Sequence, residues 1–279
     1  MVPDSPLPAG TEVGRVALTV ADSDRVAAFY EETVGLSIHD DTGERTVLGD
    51  GETQLLVLHE HPTVPERMAD ETGLYHLAVR VPSRAALGAA LERVERTGQL
   101  DGASDHHVSE ALYLTDPEGN GVEIYRDRPR ERWDEREDGT VRMATERLDR
   151  AGVEAASDAT RSVPVGTDIG HVHLEVADLD ATRSFYVDTL GMRVRATYTG
   201  ALFLAAGSYH HHVGANVWHS RVGPGEGRGL AWYELVVPNE AAVTAVRRRL
   251  TDSDRAVETT PDGIETVDPA GVTVRVRPS

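Results

Sequence analysis

Apolar and polar residues alternate in the first part of the chain that has a clear pattern. In Arg15–Val20 the apolar residues Val16, Leu18 and Val20 share one face, which is typical of a half-buried strand. Apolar residues then recur at helical spacing as far as Gly35, and two short apolar segments follow. This order predicts a strand, a helix and a set of further short strands.

The same pattern returns further along the chain. Val20–Leu36 and Val176–Met192 are identical at 8 of 17 positions with an offset of 156 residues. Gly73–Pro82 and Gly229–Pro238 are related by the same offset, and each of them also begins a strand that leads into a helix. The chain is therefore expected to contain two homologous halves, each built from two modules.

The repeat predicts where the halves and modules begin and end. The N-terminal half covers 11–127 with modules 11–62 and 73–127, and the C-terminal half covers 167–279 with modules 167–220 and 228–279. The intervening residues 128–166 are expected to form a linker with a helix over Arg142–Ala151. Within it, the charged run Arg128–Asp138 is typical of a solvated face.

Charge and composition exclude several classes of function. The chain has 28 Lys+Arg against 47 Asp+Glu, a formal net charge of −19, which disfavours nucleic acid and anionic membranes as partners. It contains no cysteine, so thiolate catalysis and thiolate metal sites are excluded, and histidine and carboxylate are left as metal ligands. Every basic residue is arginine, and this acidic, lysine-free composition is similar to that of proteins from salt-loving (halophilic) organisms.

No segment predicts insertion into a membrane or export. No apolar run approaches the roughly 20 residues of a membrane span. Met1–Gly10 lacks the basic and apolar pattern of a signal peptide. We therefore expect a cytoplasmic protein without membrane partners.

Two motifs point to a known family. The F-Y-x-x-x-L-G type helix seen in Val176–Met192 and the D-P-x-G-N-x-x-E hairpin of Asp116–Glu123 resemble those of the vicinal oxygen chelate superfamily. That family includes glyoxalase I, bleomycin-resistance proteins and extradiol dioxygenases. The resemblance implies an α+β fold of four βαβββ modules in two homologous halves, paired into curved half-open sheets. Gly73–His76, Ser109–Glu123 and Tyr209–His212 resemble catechol-2,3-dioxygenase-type members.

The resemblance also indicates where a metal would bind. In this superfamily the ligands lie on the concave face of a sheet, on first and last strands of the modules. Strand parity places His76, Glu123 and His171 on that face. His173 shares the face with His171 and is an alternative ligand, although the family pattern favours His171.

Only the second and third modules carry these candidate ligands. The corresponding positions of modules one and four hold Arg15, Trp232 and Arg275. Pairing module two with module three therefore predicts a site of two histidines and one carboxylate, which suits non-haem Fe(2+), with Mn(2+) or another divalent metal as the alternative. Modules one and four would then form a metal-free cup, with Arg15 and Trp232 filling it and a structural or oligomerisation role.

Further polar residues match the positions of catalytic groups in extradiol dioxygenases. The resemblance implies an acid–base histidine in His210–His212, which lies 39 to 41 residues after His171. Strand parity groups His210 with His212, whereas the family spacing favours the middle histidine. Tyr113 lies ten residues before the glutamate and His106 seven before that tyrosine. The expected catalytic residues are His211, His212, Tyr113 and His106, and the expected substrate-binding residues are His173, His210 and Asn216.

These features predict an Fe(II)-dependent extradiol dioxygenase that cleaves small aromatic diols with O2. Homo-oligomers are compatible with this prediction. One alternative is a glyoxalase- or isomerase-like enzyme with another divalent metal, but that requires a further carboxylate ligand, and His212–Asn216 contains none. The other is a non-catalytic protein that binds a planar aromatic ligand.

Overall fold

Each half of the chain folds into two strand–helix–strand modules. The computed structural model describes residues 7–279, so part of the Met1–Gly10 prediction lies outside the described residues. The N-terminal half contains β1 (Glu12–Val20), α1 (Ser23–Phe29) continued by a π turn (Tyr30–Val34), β2 (Ser37–Asp41), β3 (Arg45–Gly49), β4 (Gln54–Glu60), β5 (Gly73–Arg80), α2 (Arg84–Thr97), β6 (Gly102–Asp105), β7 (Ser109–Thr115) and β8 (Gly121–Asp127).

The C-terminal half repeats this order after a connection that has little regular structure. The connection contains a 3-10 turn (Arg130–Arg132), β9 (Glu146–Arg147) and α3 (Arg150–Glu154). The C-terminal half contains β10 (Asp168–Glu175), α4 (Leu179–Arg183) continued by a π turn (Ser184–Thr189), β11 (Arg193–Tyr198), β12 (Ala201–Ala205), β13 (Val213–Asn216), β14 (Gly229–Val237), α5 (Glu240–Asp252), β15 (Glu258–Thr260), β16 (Gly263–Val267) and β17 (Thr273–Pro278).

The four module helices begin in the same way. In each, a short polar side chain just before the first turn accepts a hydrogen bond from a backbone N–H of that turn, and these residues are Asp22, Ser83, Asp178 and Asn239. Such caps satisfy donors that the helix itself leaves free. The recurring S/D/N before each helix is therefore the local reason why every module turns from strand to helix at the same point.

Each of the two mixed, curled sheets takes strands from both halves of the chain. One has the order β15-β16-β17-β14-β1-β4-β3-β2 and the other β11-β12-β13-β10-β5-β8-β7-β6-β9. Module one thus pairs with module four, and module two with module three, as the distribution of candidate ligands predicts. The seam of the second sheet is the antiparallel pair β5–β10, in which His76 lies opposite His173.

Each sheet packs its apolar residues against the helices on one side, but the two concave faces differ. In the sheet of modules one and four, Ala17, Val47, Val57 and Trp232 form a buried cluster on the concave face. The guanidinium of Arg275 lies 4.1 Å from the centroid of the Trp232 ring. Trp232 therefore fills this cup, as the sequence predicts, and the guanidinium of Arg15 also lies 5.9 Å from the centroid of its ring.

The connection between the halves differs from the prediction. The prediction of a helix over Arg142–Ala151 is wrong, because the helix of the connection runs from Arg150 to Glu154. Trp133 is only 9% exposed and packs with Val141, Met143 and Val108. The prediction that Arg128–Asp138 forms a solvent-exposed face is therefore also wrong for this tryptophan. The connection folds back over the second sheet because these apolar side chains bury themselves there.

The helices are short in relation to a bilayer. Within residues 7–279, none of them combines the length and apolar character that a membrane crossing requires.

Candidate metal centre and active site

Three donor side chains from three adjacent strands converge on one point. His76 on β5 and His171 on β10 each place Nε2 3.0 Å from Glu123 Oε2 on β8. The two Nε2 atoms are 3.3 Å apart, and all three residues are buried. Within residues 7–279 this is the one group of three or more potential donors with this convergence.

The spacing of these atoms matches a divalent metal. Imidazole nitrogen and carboxylate oxygen bind such metals at about 2.0–2.2 Å, so neighbouring ligands on an octahedron lie about 3 Å apart. The three observed separations, 3.0, 3.0 and 3.3 Å, are all of this size. The three donors would therefore fit one face of the octahedral coordination of a metal, and the coordination positions on the opposite face would remain open for other ligands.

Burial and mutual contact set protonation states that suit metal binding. Burial lowers the pKa of His171 to about 4, although the nearby Glu123 carboxylate acts in the opposite direction. Burial would raise the pKa of Glu123, but the contacts with His171 and His76 outweigh it and hold the pKa well below its ordinary value of 4.5. At neutral pH His171 is thus a neutral donor and Glu123 an anionic one, which is the form in which these side chains bind metals.

On the Nδ1 side of its ring, His171 is oriented by packing rather than by a hydrogen bond. Its Nδ1 is buried and has no hydrogen-bond partner among the described residues. The rings of Tyr125 and His211 lie 4.9 Å and 4.0 Å from its ring centroid. Tyr125 fits in this position because residue 170 is a glycine. A Cβ at Gly170 would lie 1.8 Å from the Tyr125 hydroxyl oxygen, so any residue with a side chain there would exclude the tyrosine.

The cluster opens into a cavity of about 550 Å³. Four of the predicted catalytic or substrate-binding residues line it together with the three donors: His106, Tyr113, His173 and His211. Enclosed sites of this size, with a few convergent polar groups, are typical of small-molecule binding. The concave face of this sheet is therefore the candidate active site.

His173 lies beside the cluster without joining it. Its ring centroid is 4.9 Å from that of His76, but its Nε2 accepts a hydrogen bond from the Asn216 amide at 3.1 Å. Burial lowers the pKa of His173 well below its ordinary value. His171 is therefore the β10 histidine in the metal-donor group, whereas His173 presents a neutral ring to the cavity.

Tyr113 and His106 form a hydrogen-bonded pair on the opposite wall. His106 Nδ1 lies 2.6 Å from the Ala144 carbonyl oxygen, and its Nε2 lies 2.5 Å from the Tyr113 hydroxyl. A carbonyl only accepts, so His106 donates from Nδ1; with that single ring proton, its Nε2 accepts from the Tyr113 hydroxyl. Burial, together with the charge of Glu123, raises the pKa of Tyr113 well above 10, which keeps the phenol protonated.

The three consecutive histidines have three different environments. His211 lines the cavity, and its Nδ1 lies 2.7 Å from Nδ1 of His210. His210 Nε2 in turn lies 2.8 Å from Asp127 Oδ1. An ionised carboxylate only accepts, so His210 donates from Nε2; with that single ring proton, its Nδ1 accepts from His211 Nδ1. This leaves His211 Nε2 unprotonated and without a partner among the described residues.

Three residues that the sequence places at the substrate do not line the cavity. His212 lines a separate cavity of about 170 Å³ together with Tyr209, and its Nδ1 accepts from the Ala206 N–H. His210 and Asn216 lie behind His211 and His173. Strand parity fails here because 206–212 bends, and the strand begins only at Val213.

The sequence interpretation missed Asp127 and most of the cavity wall. Asp127 has the same parity on β8 as Glu123, so the rule that selected the glutamate could have selected the aspartate. Phe203 alternates with buried leucines on β12, which is a weaker signal. Met143, from the connection, had no local signal, because only the fold brings it to the cavity.

A family model matches most of the chain. It is described as the Glyoxalase/Bleomycin resistance protein/Dioxygenase superfamily, and it matches residues 12–124 and 168–275. These ranges correspond to the two halves of the internal repeat.

Individual proteins are also similar. A catechol-2,3-dioxygenase of Bacillus subtilis strain 168 is 39% identical over 270 residues, which cover 93% of this chain and 94% of that protein. Among solved structures, a provisionally assigned dioxygenase of Bacillus subtilis subsp. subtilis strain 168 superposes with a TM-score of 0.66 at 13% identity, covering 98% of this chain and 86% of that one. Glyoxalase I from Zea mays superposes with a TM-score of 0.57 at 16% identity, covering 96% and 92%. The structural similarities show the fold.

Proposed function

The chain belongs to the glyoxalase/bleomycin resistance protein/dioxygenase superfamily, and from that premise we propose that it is an Fe(II)-dependent extradiol dioxygenase of catechol-like aromatics. The observation that carries the proposal is the buried group His76, Glu123 and His171, which opens to a cavity on one side. The similarity to a catechol-2,3-dioxygenase supports the same class of reaction.

The donor set favours iron over most other metals. Two histidines and one carboxylate on one face, with open positions opposite, are typical of non-haem Fe(II) oxygenases, and the same donors accommodate Mn(II). A metal bound there would bring both oxygens of the diol and O2 together. A glyoxalase-like site would need a further carboxylate, and the donor group found within residues 7–279 contains only Glu123.

The side chains around the cavity supply the proton chemistry. His211 has an unprotonated Nε2 at the cavity, so it accepts the proton of a substrate hydroxyl and returns it to the ring-opened product. The Tyr113 hydroxyl donates its hydrogen bond to His106, so its oxygen is free to accept a hydrogen bond from the diol and orient it. His173 adds a neutral imidazole edge that excludes water beside His76.

A reconstitution experiment tests this proposal. Metal-free protein is loaded anaerobically with Fe(II) or, separately, with Mn(II), Zn(II) or no metal, in molar salt that screens the net charge of −19. Catechol and air are then added, and the yellow ring-opened semialdehyde is followed by its visible absorbance. We expect product with Fe(II), loss of product on chelation, and none with Zn(II). Bound metal without product from catechol or its substituted forms would contradict the proposal.

A further inference from the structure

The cavity beside the metal donors lacks charges that could meet an anionic substrate. Among the described residues that line the cavity, Glu123 is the one carboxylate, and none is an arginine. The other polar groups are imidazoles, tyrosines and hydroxyls such as those of Ser104 and Thr145. Away from the metal donors, a negative group on a substrate would therefore lose its hydration without gaining an arginine as counter-ion.

Two arginines that are close in sequence to the lining residues Tyr198 and Trp218 already have partners. Arg195 is buried and donates to the carbonyl oxygens of Ser208 and Tyr209 and to Glu135. Arg221 forms hydrogen bonds to both carboxylate oxygens of Glu175, at 2.9 and 2.8 Å. Moving either guanidinium towards a ligand would leave a buried carboxylate or carbonyl without its partner, which is costly.

Aromatic side chains continue from the cavity mouth towards the metal donors. Tyr198 and Trp218 line the cavity, yet they are 42% and 46% exposed. Phe203 lies between the mouth and the donors, with its ring centroid 5.7 Å from that of Tyr198 and 5.0 Å from that of His211. The Trp218 indole donates to the Thr199 carbonyl at 3.1 Å, which holds it at the mouth.

The cavity is also larger than one diol ring requires. At about 550 Å³, it is in the range of roughly 300–1,000 Å³ that is typical of sites for drug-sized ligands. With a catechol ring at the metal donors, the remaining space lies along Phe203, Trp218 and Met143. A ring substituent that fills this space would bury apolar surface against these side chains.

From this lining we propose, resting on the function proposed above, that the preferred substrates are uncharged catechols with a bulky apolar substituent such as an aryl group. Carboxylated catechols are rejected, because with the diol at the metal donors the carboxylate has no arginine among the lining residues to pair with. Phe203 and Trp218 are the residues that determine this specificity.

A substrate series tests the proposal on the Fe(II)-loaded protein. The ratio of kcat/KM for 3-phenylcatechol to that for 2,3-dihydroxybenzoate should exceed about 100, with catechol between them. Equal or better cleavage of the carboxylated diol would overturn the inference and leave the dioxygenase proposal intact. If no diol in the series is cleaved, the dioxygenase proposal fails, and with it the inference that rests on it.

Binding to metal-free protein gives a readout that does not depend on turnover. In calorimetric titrations, biphenyl should bind about tenfold or more tightly than benzoate, because both probes lack the diol and differ in the apolar group and the charge. Tighter binding of benzoate would overturn the assignment of the cavity wall.

Two variants locate the specificity. Trp218→Ala should lower the 3-phenylcatechol to catechol ratio about tenfold, whereas Val267→Ala, an exposed apolar residue of the other sheet, should leave it unchanged. Thr199→Arg adds a cation at the mouth and should raise the relative kcat/KM for 2,3-dihydroxybenzoate about tenfold. An unchanged ratio in Trp218→Ala together with no gain in Thr199→Arg would overturn the proposal.

Discussion

His210 Nε2 lies 2.8 Å from Asp127 Oδ1. This contact influences the position of the ring proton on the next residue, His211, which does not itself contact Asp127. His210 passes the constraint to His211 through the 2.7 Å contact between the two Nδ1 atoms. The carboxylate, on the strand that also carries Glu123, therefore orients the ring nitrogen that faces the cavity. In the proposed reaction, Asp127 and His210 are positioning residues for His211.

Asp127→Ala tests this relationship. We expect kcat to fall about 10- to 100-fold with little change in KM, because His211 loses its fixed tautomer and orientation while the substrate contacts are unchanged. Steady-state kinetics on the Fe(II)-loaded protein measure both constants. Asp168→Ala is the matched control, since Asp168 also pairs with Arg80 but does not contact His210. An equal loss in the two variants would mean that the Arg80 network, and not His210, matters.

Tyr113→Phe removes the hydroxyl that bonds to His106 without emptying the cavity wall. We expect kcat/KM for the preferred diol to fall roughly tenfold, which is the size expected for one lost hydrogen bond to the substrate. The bound metal per chain should stay the same, because Tyr113 is not one of the three donors. Metal loss in this variant would contradict the role as a substrate-orienting residue.

Trp232→Ala tests the structural role expected for the metal-free cup of modules one and four. Trp232 is 8% exposed and packs between Arg275 and the apolar cluster of its cup. Its truncation should lower the free energy of unfolding by about 3–5 kcal/mol, as measured by urea denaturation. The metal content and kcat of the folded protein should not change. Loss of metal from folded protein would show that the two sheets are coupled.

Asp268 gives an expected pH dependence of stability. It is buried and accepts the Tyr186 hydroxyl at 2.7 Å, and burial raises its pKa from 3.8 to about 6 despite this hydrogen bond. Between about pH 4 and pH 6 the folded state thus binds more protons than the unfolded state, so this group's contribution to stability falls as the pH rises. The difference between the two pKa values corresponds to about 3 kcal/mol.

Comparison with Asp268→Asn isolates this effect from the other carboxylates. The variant keeps a side chain of the same shape but does not titrate, so its free energy of unfolding relative to wild type should improve between pH 4 and pH 7. Urea denaturation at several pH values measures the difference. A difference that does not vary with pH would contradict the raised pKa.

The sequence predicted the fold and the convergence of His76, Glu123 and His171 because both follow from the family resemblance, the internal repeat and strand alternation. The 156-residue repeat showed which positions correspond, and the complementary absence of donors at Arg15 and Trp232 indicated that module two pairs with module three. Strand alternation then identified His76 and Glu123. The resemblance to the vicinal oxygen chelate superfamily implied the fold and the face on which ligands lie, and the repeat and the period of a strand located the candidate residues in this chain.

The parts of the site that were missed depend on long-range packing. His210 and His212 were assigned by strand parity, but the chain bends at 206–212, so parity has no meaning there. Trp133 and Met143 lie in a charged segment whose local pattern indicates solvent exposure. They are buried because the connection folds back over the cavity, which no local pattern encodes.

The most direct test of the metal-dependent reaction measures metal and product in the same samples. Wild type, His76→Ala, Glu123→Gln and His171→Ala are loaded with Fe(II) and desalted anaerobically, with Glu265→Gln as the control carboxylate on the other sheet. Iron is then counted per chain, and the ring-opened product from 3-phenylcatechol and from catechol is followed. We expect about one iron per chain and product in wild type and the control, and loss of both in the three donor variants. Full iron occupancy with product formation in Glu123→Gln or His171→Ala would contradict the site.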